Sequence, residues 1–244
     1  MIDIHCHLVY GVDDGAETIE KTIEMLNEAK KVGFTDIILT PHYSNYFHIP
    51  ADEIQKRIEI IKNKATDLGL KLYQGNEIYM SPHLMENIKS GKTATLNNSR
   101  YVLFEFPMGE KPFYSDHIIK TILKNDKIPI MAHPERYRFV QQNPNILIDY
   151  IKKGVLFQSN YGSILGRYGL DAQETVKKLL THNMIHFLGS DNHKVNTIYT
   201  NIPEIMEELM RILEKEKLEK LTTVNPEKVL KNEKIKIENP EVIC

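Results

Sequence analysis

Seven short apolar runs of β type alternate with amphipathic helical stretches along this chain, and no other feature limits its possible folds so strongly. The candidate strands are Ile2–His5, Asp36–Thr40, Lys71–Asn76, Tyr101–Phe106, Ile128–Ala132, Val155–Ser159 and Ile185–Gly189. Between the first two, Glu17–Val32 places Ile19, Ile23, Leu26 and Ala29 on one face at three- and four-residue steps. Ala51–Leu68 repeats the pattern with Ile54, Ile58, Ile61 and Ala65, then stops at Gly69. Further helices are expected at Tyr114–Lys124, Pro144–Lys153, Asp171–His182 and Ile202–Lys217, with a short one at Pro226–Leu230. Such repetition calls for a parallel sheet. Runs such as "DIILT" and "YVLFEF" are too apolar for a half-exposed sheet, so helices must cover them. An open doubly wound sheet and a closed barrel both satisfy the periodicity.

The chain's 244 residues match the usual size of one α/β barrel. No repeat or linker divides it, so a single domain over residues 1–244 is expected, its charged tail from about Asn232 loosely attached. A formal net charge of −2 gives no basis for general binding to nucleic acid or to a membrane surface. No apolar run approaches the about 18 residues that span a bilayer. The start is acidic and His-containing, unlike a signal peptide, and the two cysteines, Cys6 and Cys244, suggest no disulfide framework. The expected location is cytoplasmic.

The metal-capable residues fall on this skeleton in a pattern. His5 and His7 close the first strand, and Asp14 precedes the first helix. His42 follows the second strand in "LTPHYS", Glu77 the third in "YQGNEIYM", and Glu105 lies near the end of the fourth in "LFEFP". His133 follows the fifth in "MAHPER", and Asp191 and His193 follow the seventh in "LGSDNH". Six of the seven strands thus deliver His, Asp or Glu at the C-terminal edge, where parallel α/β folds gather their ligands. Only closure brings six such edges around one centre, which favours the barrel. Alternate strand residues share a face, so His5 and His7 can grip one cation while Cys6 turns away; Asp3, of the same parity, is placed to orient a ligand imidazole.

Other residues read differently. His48, His83, His117, His182 and His186 lie off the strand ends and read as solvated or capping residues, His48 excepted because its loop should overhang the site. No Walker or dinucleotide fingerprint is present, and no Ser or Cys stands in a nucleophile setting. In "AHPERYRF", Arg136 and Arg138 bring positive charge to the metal edge. Arg136 could fork onto phosphate oxygens or pair with Glu135; with metals beside it, phosphoryl hydrolysis is the better-suited chemistry.

"DIHCH", "DDGA", "TPH", the Glu after strand three, "AHPERY" and "SDNH" resemble the PHP (polymerase and histidinol phosphatase) superfamily from Met1 to about residue 231. More narrowly, they resemble bacterial manganese-dependent tyrosine-protein phosphatases that partner capsule and exopolysaccharide tyrosine kinases. The resemblance implies a distorted (β/α)7 TIM-like barrel holding three divalent metal ions, Mn²⁺ or alternatively Fe²⁺ or Zn²⁺. It implies His5, His7, Glu77 and Asp191 on the first ion, and Glu77, Glu105 and His133 on the second. Asp14, His42 and His193 would hold the third, and Arg136 would grip phosphate in catalysis. The implied substrate is a phosphotyrosine protein, a cognate bacterial tyrosine kinase. The family's second arginine, several residues beyond "SD-x-H", is replaced here by "KVNTIYTN"; Lys194 or Arg167 would substitute for it. The rivals are a small-molecule phosphatase of histidinol-phosphate type, an amidohydrolase and a non-catalytic interaction module. An amidohydrolase would normally lack the Glu77/Glu105 pair, and a non-catalytic module has no need of every ligand position being filled.

Overall fold

A computed structural model describes all residues, Met1–Cys244, as alternating strands and helices. The strands are β1 (Ile2–Asp3), β2 (Asp36–Leu39), β3 (His42–Tyr43), β4 (Lys71–Gln74), β5 (Glu77–Tyr79), β6 (Tyr101–Glu105), β7 (Ile128–Ala132), β8 (Leu156–Asn160) and β9 (Phe187–Gly189). The helices are α1 (Ile19–Lys31), α2 (Ala51–Lys64), α3 (Leu84–Lys89), α4 (Ser115–Lys124), α5 (Arg138–Gln142), α6 (Ile146–Lys152), α7 (Tyr161–Ile164), α8 (Leu170–Thr181), α9 (Ile198–Ile212), α10 (Lys215–Glu219) and α11 (Asn225–Leu230). None is long and apolar enough to cross a membrane.

Nine segments stand where seven strands are expected because two paths are interrupted. Pro41, which has no N–H to give a ladder, separates β2 from β3, and Gly75–Asn76 separates β4 from β5. Polar contacts bridge the break: the Gly75 amide donates to Leu39 O at 2.9 Å, and the Asn76 side-chain amide to Pro41 O at 3.0 Å. All pairings are parallel, in a three-stranded sheet β1-β2-β4 and a six-stranded sheet β3-β5-β6-β7-β8-β9. The line of β1 also meets that of β9, since the Asp191 amide donates to His5 O at 2.8 Å and the His7 amide to Asn192 O at 3.0 Å. The result is an α/β fold with a curled parallel sheet.

Both faces of this sheet are buried, as the apolar strand sequences require. Ile2, Ile38, Leu103, Ile130, Leu156 and Phe187 form an inner cluster, closed at one end by Val229 of α11. Alternate residues such as Ile37, Val102, Phe104, Met131 and Phe157 pack outward against the helices. Continuing the inner parity toward the C-terminal strand ends brings up Glu105 on β6, Gln158 and Asn160 on β8, and Gly189 on β9. The apolar plug therefore gives way to polar side chains at one rim.

Three short helices depart from the expected pattern: α3 lies between the third and fourth expected strands, where no helix is expected, and α5 and α7 lie in strand–helix connections. Helix α9 begins four residues earlier than expected and encloses Pro203. Asn192 Oδ1 accepts from the Ile198 amide at 3.0 Å and from the Thr197 hydroxyl at 2.7 Å, which starts the helix ahead of the proline. Burial of Ile198, Tyr199 and Ile202 holds that first turn. The segment after Asn232 has no regular structure, yet Glu241 N reaches His182 O at 2.9 Å and Ile243 exchanges two 2.9 Å bonds with Asn145. His186 is not solvated or capping: it is buried, its Nδ1 accepting from the Phe157 amide and its Nε2 meeting no partner.

Candidate metal centre

His5 and His7 arrive side by side at the end of the β1 line, with their Nε2 atoms 3.2 Å apart. Their other nitrogens have partners. His5 Nδ1 bonds Gln158 Oε1 at 2.6 Å, and His7 Nδ1 bonds Asp13 Oδ2 at 2.8 Å. An amide oxygen and a carboxylate can only accept, so both Nδ1 atoms carry the proton in the neutral rings and both Nε2 atoms present lone pairs. Glu77 Oε2 lies 3.2 and 3.4 Å from these two nitrogens, and Asp191 Oδ1 3.6 and 3.3 Å. Two lone pairs and two carboxylate oxygens thus converge on one buried point. With both rings neutral these four groups repel, so the point demands positive charge, from protons on the rings or from a metal ion. Donors about 2.0–2.2 Å from a shared ion stand roughly 3–3.5 Å from one another, and these separations match that spacing.

The cluster extends on both sides. His133 Nε2 is 2.9 Å from Glu77 Oε1 and 3.8 Å from Glu105 Oε2. His42 Nδ1 is 3.0 Å from Glu77 Oε2 and 3.2 Å from Glu105 Oε1, so this ring approaches the second expected set as well as the third. Asp14 Oδ1 is 3.6 Å from His42 Nε2 and 3.5 Å from His193 Nε2. His7 shares this last group, and its ring stacks on that of His193 with centroids 3.9 Å apart. Seven of the nine expected ligands form three overlapping groups, with His7, His42 and Glu77 each in two, and His133 and Asp191 join them through Glu77 and His7.

Charge accounts for the titration behaviour. Burial alone would raise the Glu77 carboxyl, but His5 and His42 hold it well below the usual range. Asp191 is likewise lowered against burial by His5, His7 and His193. Hydrogen bonding to His193 draws Asp14 down to about 2. Burial opposes charge on His42, yet Glu77 and Glu105 push it up to about 10. Asp14, Glu77 and Asp191 are therefore anionic at neutral pH, as ligands must be, and the proton that His42 holds among them is one a metal ion would displace.

Local backbone geometry builds the site. His133 and Asp191 each follow a strand in the left-handed region, with φ of 37° and 50°, a conformation costly for residues with a side chain. The turn swings each ligand over the rim. Gly15 has to be glycine, since a Cβ there would lie 2.0 Å from His7 O. At Gly189 a Cβ would meet His5 and Gln158 at 2.9 Å.

Several functional-looking residues escaped the sequence reading. Asp13 holds His7 Nδ1 and also accepts from the His42 and Gly15 amides at 3.0 Å each. β8, the one strand without His, Asp or Glu at its end, supplies amides instead. Gln158 Nε2 donates to Asn160 Oδ1 at 2.9 Å, and Asn160 Nδ2 to Asp191 Oδ2 at 2.6 Å, so His5 and Asp191 are joined through two amides. The alternating polar residues of "FQSN" were the available signal. Asp3, expected to orient an imidazole, instead accepts from the His5 and Ser190 amides and from the Tyr199 hydroxyl. It fastens the backbone beneath the ligands, because its side chain lies below the rings.

Arg136 donates from Nη1 to Asp191 Oδ2 at 3.0 Å, and its guanidinium carbon sits 4.4 Å from the centre of the Tyr168 ring. Its partner is not Glu135, whose Oε1 accepts from Asn160 N and the Ser163 hydroxyl. Lys194 is exposed and lines a cavity of about 570 Å³ beside Asp14 and His193. Arg167 and Arg138 are exposed and form no ion pair. His48 lies along a neighbouring cavity with Tyr43 and Tyr114 and not among the metal-capable groups. Cys6 is buried with Sγ directed at Ile38 O, away from the cluster.

Residues 1–231 match the family of capsular polysaccharide synthesis proteins CpsB/CapC. The putative tyrosine-protein phosphatase CapC of Staphylococcus aureus is 36% identical over 216 residues, covering 86% of this chain and 82% of the relative. The tyrosine-protein phosphatase YwqE of Bacillus subtilis is 34% identical over 254 residues, covering 100% and 96%. Among solved structures, one from work on YwqE of Bacillus subtilis and CpsB of Streptococcus pneumoniae, described as metal-dependent tyrosine phosphatases, superposes with a TM-score of 0.93 at 29% identity, covering all of both chains. A histidinol phosphate phosphatase of Lactococcus lactis, at 14% identity and a TM-score of 0.58 over 86% of this chain and 93% of its own, shares the fold.

Proposed function

This chain belongs to the CpsB/CapC family of capsular polysaccharide synthesis, and from that membership together with its facing histidine lone pairs we infer that it is a metal-dependent protein-tyrosine phosphatase. The observation that carries the metal dependence is the convergence of the His5 and His7 Nε2 atoms, 3.2 Å apart, on Glu77 and Asp191, an arrangement that calls for positive charge at its centre and whose spacing suits a metal ion. The buried Glu77 Oε2 has no hydrogen-bond donor, which fits the same need. The nitrogen and carboxylate donor set suits Mn²⁺, with Fe²⁺ or Zn²⁺ as alternatives. We assign His5, His7, Glu77 and Asp191 to one ion, Glu77, Glu105 and His133 to a second, and Asp14, His42 and His193 to a third. Ions bound there would lower the pKa of bound water and neutralise charge on a phosphoryl group.

The chain's own groups do the rest. Arg136 is held by one hydrogen bond and a ring face, so the remaining guanidinium N–H groups can grip phosphate oxygens. Lys194, on the Asp14 and His193 side, is the better placed substitute for the missing second arginine; Arg167 is the weaker candidate. Tyrosinate, with a parent pKa of about 10, is a tolerable leaving group and needs little help from an acid. Cys6 is buried with Sγ against Ile38 O, and Cys244 is exposed next to Ile243, which is held by Asn145, so neither thiol belongs to the cluster and no phosphocysteine is expected. The proposed substrate is a cognate tyrosine kinase acting in capsule or exopolysaccharide synthesis. A cytoplasmic, reducing location suits the two free cysteines. We further read the curled sheet as one distorted (β/α)7 barrel domain, supported by the hydrogen bonds that join the β1 and β9 lines.

The test assays purified protein with Mn²⁺ against a phosphotyrosine peptide, its phosphoserine counterpart and histidinol phosphate, alongside elemental analysis. Turnover should favour phosphotyrosine and vanish with chelator. Full activity in metal-free protein, or preference for histidinol phosphate, would end the reading.

A further inference from the structure

The metal edge opens on its His42 and Glu105 side into a cavity of about 380 Å³, the lower part of the range for small-ligand pockets. Aromatic rings form its walls. The turn after β3 is pinned by the Ser44 hydroxyl, which accepts from the Tyr46 and Phe47 amides at 3.1 and 3.2 Å. This turn sends Tyr46 outward, 89% exposed, and lays Phe47 back on the His42 ring, 15° from parallel with centroids 5.9 Å apart. Tyr79 supplies another wall. It sits two residues beyond Glu77 on the same face of β5, and in register opposite Glu105. Arg136 stands instead against Asp191 and Tyr168, so the cationic group and the ring-lined slot contact different ligands.

The slot does not end there. Through Ser44, Asn45 and Tyr79 it continues into a second cavity of about 550 Å³, bordered by Tyr43, Tyr114, His48, His83 and Lys92. The Tyr114 hydroxyl donates to Met80 O, whereas those of Tyr43 and Tyr79 bond nothing in the chain. Tyrosines of this kind offer broad apolar contact with a hydroxyl left for main-chain groups, at low entropic cost.

We propose that Tyr46, Phe47 and Tyr79 form a slot for the tyrosyl ring of the substrate, and that the adjoining groove past Tyr43 and Tyr114 receives the polypeptide flanking it. This deepens the phosphotyrosine reading and rests on it. The slot selects an aromatic ester over an aliphatic one by ring contact, since a serine side chain is too short to reach the metals while filling it. The groove selects a segment of protein over a free amino acid or a small phosphomonoester.

The experiment compares wild type with Tyr46→Ala, Tyr79→Ala and Tyr79→Phe, all in the metal-loaded enzyme. Substrates are a nine-residue phosphotyrosine peptide, the same peptide with phosphoserine, and free phosphotyrosine. A phosphonate-containing, non-hydrolysable version of the peptide gives binding by fluorescence anisotropy, and metal content is measured on every preparation. Loss of one ring contact costs about three- to tenfold in affinity, so both alanine variants should raise KM for the phosphotyrosine peptide and Kd for the phosphonate by that factor. Metal content and kcat should hold, the phosphoserine peptide should be unaffected, and Tyr79→Phe should restore binding. Wild type should bind the peptide more tightly than free phosphotyrosine. Equal losses on both peptides, or metal loss in Tyr79→Ala, would overturn the slot; equal KM for peptide and free phosphotyrosine would overturn the groove. Failure of wild type on every phosphotyrosine substrate would instead remove the phosphatase reading, and it shows before any variant is made.

Discussion

Arg136 illustrates how a single side chain serves two demands. Its Nη1 neutralises Asp191, while its face lies on Tyr168 and fixes the guanidinium plane. Asp191 does not depend on it alone, because Asn160 holds the same Oδ2 at 2.6 Å. Arg136→Ala should therefore keep its metal content while kcat/KM falls about tenfold to a hundredfold, the loss of one charge-assisted contact of roughly 1.5–3 kcal/mol. Arg136→Lys should regain only part, since an ammonium cannot reproduce the fork. Kinetics and metal analysis on the same samples check this. Near-normal efficiency in Arg136→Ala would move the phosphate grip to Lys194.

At the scale of the element, β8 shows why a strand with no metal-capable residue still belongs to the site. Its inner-facing Gln158 and Asn160 tie His5 to Asp191, and this fixes the His5 tautomer that leaves Nε2 free. Gln158→Ala should weaken metal affinity about tenfold to a hundredfold, read by metal titration, with Gln158→Glu retaining more because an acceptor remains. Unchanged affinity in Gln158→Ala would make the amide pair a packing feature only. The strands and longer helices of the fold were legible because each has its own periodicity. The boundary of α9 was not, because Asn192, six residues upstream, caps it from the metal loop. The interruptions at Pro41 and Gly75 were equally hidden, since a break in a strand depends on what its neighbour can bridge.

The whole molecule answers to pH and to metal. Burial lowers His186 from its ordinary value to about 4, far from the metal edge. The depressed folded value means its contribution is intact above about pH 6.5. It is then lost as pH falls toward 4, because the unfolded chain takes up the proton first. The loss approaches roughly 3 kcal/mol by pH 4. Melting temperatures should accordingly drop less steeply between pH 6.5 and 4 in His186→Gln than in wild type; parallel curves would refute the assignment. Metal acts in the opposite sense. A site filled at about a hundred times its Kd adds about 2.7 kcal/mol, roughly 5–10 °C for a chain of this length. Mn²⁺ should raise Tm by at least that much over chelated protein, and no shift would argue against a built metal centre.

By itself the sequence determined which elements form and which residues could bind metal, because strand and helix periods are local and His, Asp and Glu appear at recurrent strand ends. It also carried the pairing of His5 with His7, a consequence of strand alternation. What only the tertiary structure decided were relations between distant segments. Asp13 rather than Asp3 orients a ligand ring, two amides of β8 bridge ligands from β1 and the β9 loop, and Arg136 leans on Asp191 rather than on Glu135. Hydrogen-bond partners across a curled sheet depend on register and on left-handed turns such as those at His133 and Asp191, and neither leaves a periodic trace in the chain.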